Sequence, residues 1–321
     1  MLEFSRQNMM AWSRQSSRHM FGEAMLEAAE YDEKLMVITA DVASSANLRT
    51  FAERYPEKFL NVGLSEQCML GVAAGMAKEG FHVFISSFAP FVSMRIFEGL
   101  RSYLGYMHLN VTVVGLGSGF ALGTNGNTHY GLEDMAITRT IPGMVVLSPS
   151  DNTEVIKSLF AALAYEGPVY LRLTGVTGSQ MVYKENYDFD IGKSIKLSEG
   201  SDVCIFATGS MVYECTRAVR ALSKNGISAG VTNIHTIKPL DTGAMNEARS
   251  AKLIVTVEEH SVIGGLGSAV SEYLAERDDM PKLLRIGIPD IFPTAGTYRY
   301  TLDQCGLSAA SIADRIKQEL N

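Results

Sequence analysis

The chain has 321 residues, 46% of them hydrophobic and 20% charged, with a formal net charge of −7. That length suffices for two domains with a sizeable core, and the composition is that of a folded globular protein. An acidic chain without a long basic run is not built for nucleic acid or an anionic membrane, and no run of about 18 apolar residues reads as a membrane span.

Residues 1–20 are mixed polar, with Arg6, Arg14 and Arg18, and lack the apolar centre of a secretory signal. An amphipathic arm and a frayed terminus both fit that stretch. Hydrophobic spacing then predicts a helix over 20–30, a strand over 34–40 ending at Asp41, a short helix over 47–54 and a strand over 59–64. Ser65 is placed to cap a nearly all-apolar helix running to about Lys78. Gly71 and Gly75, four apart, leave one face of that helix bare enough for another helix to come close. Further strands are expected over 81–85, 111–115, 144–147 and 169–173. Alternating strands and helices imply a parallel sheet covered on both faces. Residues 175–202 lose the pattern and read as a linker with room for a short strand. A second alternation follows, with strands over 203–207, 229–234, 253–257 and 283–288 and helices over 211–224, 242–250, 267–275 and 309–320. The expected class is therefore α/β throughout, the second unit smaller than the first. Cys68, Cys204, Cys215 and Cys305 lie far apart without a C-x-x-C pair, as reduced thiols of a cytoplasmic protein do.

Ligands of such sheets bind beyond the carboxyl ends of the strands. Four chemically loaded segments fall there: 41–45, 65–67, 87–94 and 117–129. Glu66 stands at the start of a buried helix, where the helix dipole favours its charge and burial opposes it. A carboxylate in that position either serves the dipole or shares a proton with a partner. His129 ends a polar turn-rich run, Thr124-Asn125-Gly126-Asn127-Thr128-His129, where it is solvated or meets a substrate oxygen. Phe88, Phe91 and Met94 recur every three residues, a stripe suited to core packing or to stacking on a flat ring. Gly264-Gly265-Leu266-Gly267 is not a dinucleotide fingerprint and reads as a close start for the next helix. His260, after Glu258 and Glu259, is expected at the surface. No Ser-His-Asp order, metal-ligand spacing or Walker-type loop is present.

Taken together, NVGLSEQCMLGVAAGMAKEGFHVFISSFAPF, GNTHYGLEDMAITRTIPGMVVLSPSDNTEV and GPVYLRL closely resemble the pyrimidine-binding domain of transketolases and 1-deoxyxylulose-5-phosphate synthases. IHTIKPLD, VTVEEHSVIGGLGSAVSEYLAE and IPDIF resemble their C-terminal domain. The resemblance spans about residues 18–320. It implies a parallel-sheet pyrimidine-binding thiamine-diphosphate fold over 1–176, a linker over 177–200 and a smaller α/β C-terminal domain over 201–321. It further implies that Glu66 bonds a ring nitrogen of the thiamine pyrimidine and so activates the cofactor, whose chemistry the protein orients. Phe88 and Phe91 match the aromatics against that ring, and Met94 stands where these enzymes often carry tyrosine. Asp41 and Ser45 match a D-x-x-x-S segment near cofactor and substrate phosphate, and His129 matches a histidine contacting substrate oxygens.

The family binds the diphosphate through Mg²⁺ (or Ca²⁺) at a G-D-G…N motif, and this sequence has no Gly-Asp-Gly. The resemblance then implies the C-terminal subunit of a split, transketolase-like, two-carbon transferase. An N-terminal subunit would bring metal and diphosphate, in a heterotetramer acting on sugars or sugar phosphates. Alternatives are a 1-deoxyxylulose-5-phosphate-synthase-like subunit, a 2-oxoacid dehydrogenase β-type subunit and a non-catalytic regulatory relative. Three departures touch the substrate. Asn125 replaces an aspartate that reads an acceptor hydroxyl, Gly117 a phosphate-contacting histidine, and Gly175 an arginine that clamps the acceptor phosphate. These departures leave two alternatives, an unphosphorylated or differently charged sugar, or compensation by Arg172 nearby.

Overall fold

The computed structural model describes residues 2–174, 178 and 180–320. Two short helices lead in, α1 (Arg6–Trp12) and α2 (Ser17–Ala29), each started by a serine, Ser5 and Ser16, that accepts a backbone N–H bond. The lead-in segment is anchored. Met9 is buried, Phe4 meets Trp12 edge-on at 5.5 Å, and Asn152 donates to Trp12 O at 2.6 Å and to Gln15 O at 3.0 Å. Of the two roles open to the terminus, the frayed one is excluded.

The first unit continues with β1 (Leu35–Thr39), α3 (Arg49–Arg54), β2 (Phe59–Asn61), α4 (Glu66–Lys78) and β3 (His82–Phe88). An irregular helix follows, with π turns over Phe91–Arg95 and Leu100–Tyr106 around the short α5 (Phe97–Gly99). Then come β4 (Val111–Ser118), α6 (Asp134–Arg139), β5 (Val145–Leu147), α7 (Asn152–Ala164) and β6 (Val169–Thr174). The second unit comprises β7 (Ile195–Ser198), β8 (Val203–Ala207), α8 (Met211–Ser223), β9 (Ala229–Asn233), β10 (Thr236–Lys238), α9 (Thr242–Glu247), β11 (Leu253–Ser261), α10 (Leu266–Ala275), β12 (Lys282–Ile288), α11 (Tyr298–Gln304) and α12 (Ala309–Leu320). No helix among the described residues is long and apolar enough to cross a membrane.

The first sheet has the order β10-β5-β6-β4-β3-β1-β2 and is parallel except where β10 meets β5. β1 is buried along its whole length, as a strand covered on both faces must be. Because side chains alternate, Leu35 and Val37 pack with Phe21, Met25 and Leu159 on one face, while Met36 and Ile38 pack with Met69, Leu70 and Ala73 on the other. The second sheet, β12-β11-β8-β9-β7, is parallel except for β7. Part of the expected linker thus forms an edge strand of that sheet; residues 175–177, where the first unit was expected to end, lie outside the described residues.

Three features depart from the sequence-based expectation. Strand β10 leaves its own unit and closes the edge of the first sheet, because Ile237 buries in the core that holds Ile141, Met144 and Val146. Strand β11 runs to Ser261, four residues beyond its expected end, so His260 is fully buried instead of at the surface. Ser65 makes no side-chain capping bond to α4. The Gly71 and Gly75 face of α4 is open: a Cβ added at either glycine would meet nothing within 4 Å among the described residues.

Candidate active site

In the order β4-β3-β1-β2, four neighbouring strands carry the four chemically loaded segments at their carboxyl ends. Parallel pairing brings those ends to one edge of the sheet.

Glu66 opens α4 and is 3% exposed. Its Oε2 accepts a bond at 2.7 Å from Nη1 of Arg95, a half-exposed residue on the irregular helix after β3. The Arg95 guanidinium also lies over the Phe91 ring, 4.3 Å from its centroid. Phe91 in turn meets Phe88 at 6.3 Å and His129 at 5.6 Å, and Phe88 meets His129 at 6.2 Å, all edge-on. Glu66, Arg95, Phe91, Phe88 and His129 thus form one chain of contacts from a buried carboxylate to an imidazole. Thr128 Oγ1 and His129 Nδ1 pair at 2.9 Å, which turns the far ring nitrogen away from that bond. Two aromatic faces beside a carboxylate suit a flat, nitrogen-bearing ring that shares a proton.

The other expected residues sit on the same four segments, Met94 on the irregular helix itself between Phe91 and Arg95. Asp41 is exposed, has a φ of +59° and is held by Asn61, whose Oδ1 accepts from its N–H at 3.0 Å. Ser45 is half-buried, Met94 is 44% exposed, and Asn125 is exposed at the end of the turn Gly123–Asn125. Gly117 has a φ of +65°, and a Cβ there would overlap Leu122, so a larger side chain at this site would require the loop to move. Gly175 lies outside the described residues.

Arg172 must be withdrawn from the substrate set. It is 1% exposed, with Nε 3.0 Å from Asp134 Oδ1 and Oδ2, and with Nη2 donating to Gly131 O at 2.9 Å and Glu259 O at 2.8 Å. A guanidinium so engaged ties the two units together and cannot reach a sugar phosphate. Around it cluster further buried polar groups of β11. Glu258 accepts from Leu266 N and Gly267 N at the start of α10, and burial pushes its carboxyl up to about 7. His260 Nε2 accepts from Ala136 N at 3.3 Å, and burial holds its ring down to about 4.

Arg95 and this junction escaped the sequence reading. The signal for the junction was present: Glu258, Glu259 and His260 prolong a run that is otherwise that of a fully buried strand, where charged side chains must find partners. For Arg95 the only hint was its place next to the Phe88, Phe91 and Met94 stripe. Among the described residues, no group of three or more His, Cys, Asp or Glu side chains is arranged to hold a metal ion.

Comparisons with known proteins agree over both units. Residues 13–175 match the family described as transketolase, pyrimidine binding domain, and residues 192–312 match transketolase, C-terminal domain. A chain from Methanocaldococcus jannaschii named as a transketolase C-terminal section is 41% identical over 302 residues, 94% of this chain and 95% of that protein. A 6-deoxy-6-sulfo-D-fructose transketolase subunit from a Clostridium species is 38% identical over 296 residues, 92% of this chain and 91% of that one. A solved structure titled "Split gene transketolase, inactive beta4 tetramer" superposes with a TM-score of 0.85 at 35% identity, covering 95% of this chain and 97% of that chain.

Proposed function

Since the chain belongs to the transketolase family, we propose that it is the C-terminal subunit of a split enzyme that moves a two-carbon ketol unit from a ketose donor to an aldose acceptor. The carrying observation is Glu66, a buried carboxylate at the start of α4 joined through Arg95 and Phe91 to Phe88 and His129. Those residues fit the pyrimidine half of thiamine diphosphate, which when bound supplies the nucleophilic carbon for the transfer.

The roles of Glu66, Phe88, Phe91 and His129 follow from their contacts, and those of Asp41, Ser45, Met94 and Asn125 from the family resemblance. Phe88 and Phe91 bind the flat ring by stacking or edge contact, with Met94 at its rim. Glu66 Oε2 exchanges Arg95 for a ring nitrogen and holds the proton that passes there. The half-exposed guanidinium can move into water, and the ring nitrogen replaces it as the partner that a carboxylate shut off from solvent requires. His129, braced by Thr128, donates to or accepts from a sugar oxygen, with Ser45 and Asn125 assigned to the substrate and Asp41 to the cofactor. Mg²⁺ and the diphosphate are left to an N-terminal subunit, in a heterotetramer of two chains of each kind. The subunit and split-gene names of the relatives support that division of labour. The four unpaired cysteines support a reducing compartment, in keeping with a cytoplasmic enzyme.

The test is reconstitution. Purified chain with thiamine diphosphate and Mg²⁺ is expected to transfer nothing, and addition of the diphosphate-binding subunit is expected to start turnover. Full activity of the chain alone would overturn the split reading. With the assembled pair, phosphorylated and free aldoses are compared as acceptors; the glycine at 117 and asparagine at 125 favour an acceptor other than the ordinary pentose phosphates, and a strong preference for those would refute this.

A further inference from the structure

The loop that carries His129 belongs to the first unit by sequence but is anchored in the second. Its ends are closed on each other, Gly119 N donating to Gly131 O at 2.9 Å. Between them, residues 121–129 are mostly exposed or half-exposed. The two apolar anchors of the loop, Phe120 and Tyr130, meet edge-on at 5.1 Å and are buried in the hydrophobic cluster of the second unit, with Met211, Val257 and Leu302.

The polar ties also run to the second unit. Phe120 N donates to Glu259 Oε1 at 2.6 Å. The other carboxylate oxygen accepts from Tyr298 OH at 2.7 Å and from Ser210 Oγ. Glu259 is fully buried, and Gly119 lies so close, at a φ of +65°, that a Cβ there would overlap its carboxylate. At the loop's far side, Asn127 Nδ2 donates to Pro293 O at 3.0 Å.

We propose that the second unit acts as a mould for the substrate loop, with Glu259 as the positioning residue that sets its first peptide and Asn127 as the clasp that sets its tip. A buried carboxyl oxygen holding a backbone N–H inside a dry junction fixes both direction and distance, which a purely apolar contact does not. The loop in turn sets His129 against Phe88 and Phe91. That this geometry serves sugar recognition rests on the function proposed above; the positioning itself does not.

Hydrogen exchange on the full chain tests the positioning without needing turnover. In Glu259→Ala, amides of residues 119–131 are expected to exchange roughly tenfold faster, as loss of a buried hydrogen bond predicts. Peptides from β1, β3 and β8 are expected to stay at the rate of the unchanged chain. Glu259→Gln, which keeps an oxygen for Phe120 N, is expected to restore most of the protection. Unchanged loop exchange, or an acceleration spread evenly over both units, would overturn the proposal. If Glu259→Ala fails to fold, the milder Asn127→Ala and Tyr298→Phe are expected to quicken loop exchange a few-fold, and no change in either would overturn it. In the assembled enzyme, Glu259→Ala and Asn127→Ala should raise the KM for the sugar several-fold more than they lower kcat, while Glu259→Gln should stay near the unchanged KM. A loosened loop with an unaltered KM would count against the mould. A loosened loop in an assembled pair that transfers no ketol unit would leave the mould standing and sink the proposed reaction instead.

Discussion

Glu66 and Arg95 illustrate how a buried carboxylate is held ready. The acid is 3% exposed while its partner is half in water. Removing the cation strands the carboxylate, so Arg95→Met should lower stability by about 1–2 kcal/mol in urea unfolding, less than for a fully buried pair. Adding Glu66→Gln should recover most of that loss, and simple additivity of the two changes would show that the pair is not coupled. Arg172 makes the contrasting case. Arg172→Met leaves Asp134 uncompensated at 0% side-chain exposure and should cost about 3–5 kcal/mol, with Asp134→Asn in the same chain restoring part of it. The positions of Glu66 and His129 just beyond strand ends were legible in the sequence, while the roles assigned to them came with the family resemblance. Arg95 was not legible, because its partner lies 29 residues away and no local spacing announces the pair. Arg172 was misread although its setting was informative: an arginine between Leu171 and Leu173, in a strand buried throughout, has to find its counter-ion inside.

Among the elements, the strands of both sheets and most of the long helices lie within a few residues of their expected places, since their apolar runs are continuous and their alternation is regular. What could not be read was where a strand goes once formed. No strand was expected between the strand over 229–234 and the helix over 242–250, yet Thr236–Lys238 form one and pair with β5 of the first unit. At that crossover His235 is fully buried, stacks on Phe189 at 4.1 Å and pairs through Nδ1 with Thr236 Oγ1 at 2.9 Å. Burial holds its ring down to about 4, against the pull of Asp241 and Asp190. A depressed histidine stabilises the fold fully above its unfolded value of about 6.5, and that contribution is lost as pH falls toward 4, by about 3 kcal/mol at most. His235→Phe is therefore expected to lose less stability than the unchanged chain as pH falls from 6.5 to 4, a difference that leaves out the opposite contribution both chains share from the raised Glu258 carboxyl. His260, also held near 4 by burial, supplies a further share that this substitution leaves intact. An unchanged slope in His235→Phe would show that the crossover histidine titrates normally.

At the scale of the whole molecule, two sheets share a junction of buried charges, and the loop carrying His129 is seated against it. The division into two units was visible in the sequence as two runs of alternating strands and helices. The interlocking was not, because it depends on which surfaces meet after folding. One face of the first unit has no counterpart among the described residues: Leu64 is 79% exposed and the glycine side of α4 is open, beside the site itself. An exposed apolar face at that place agrees with a second chain completing the cofactor site. The central claim is that Glu66 activates a thiamine cofactor shared with that chain. The most direct measurement is the initial rate of two-carbon transfer by the assembled pair with saturating thiamine diphosphate and Mg²⁺, comparing the unchanged subunit with Glu66→Gln. The rate is predicted to fall roughly 10²- to 10⁴-fold, the range for loss of a proton-transfer partner, with the complex still assembled. A Glu66→Gln enzyme that turns over within a few-fold of the unchanged one would contradict the account.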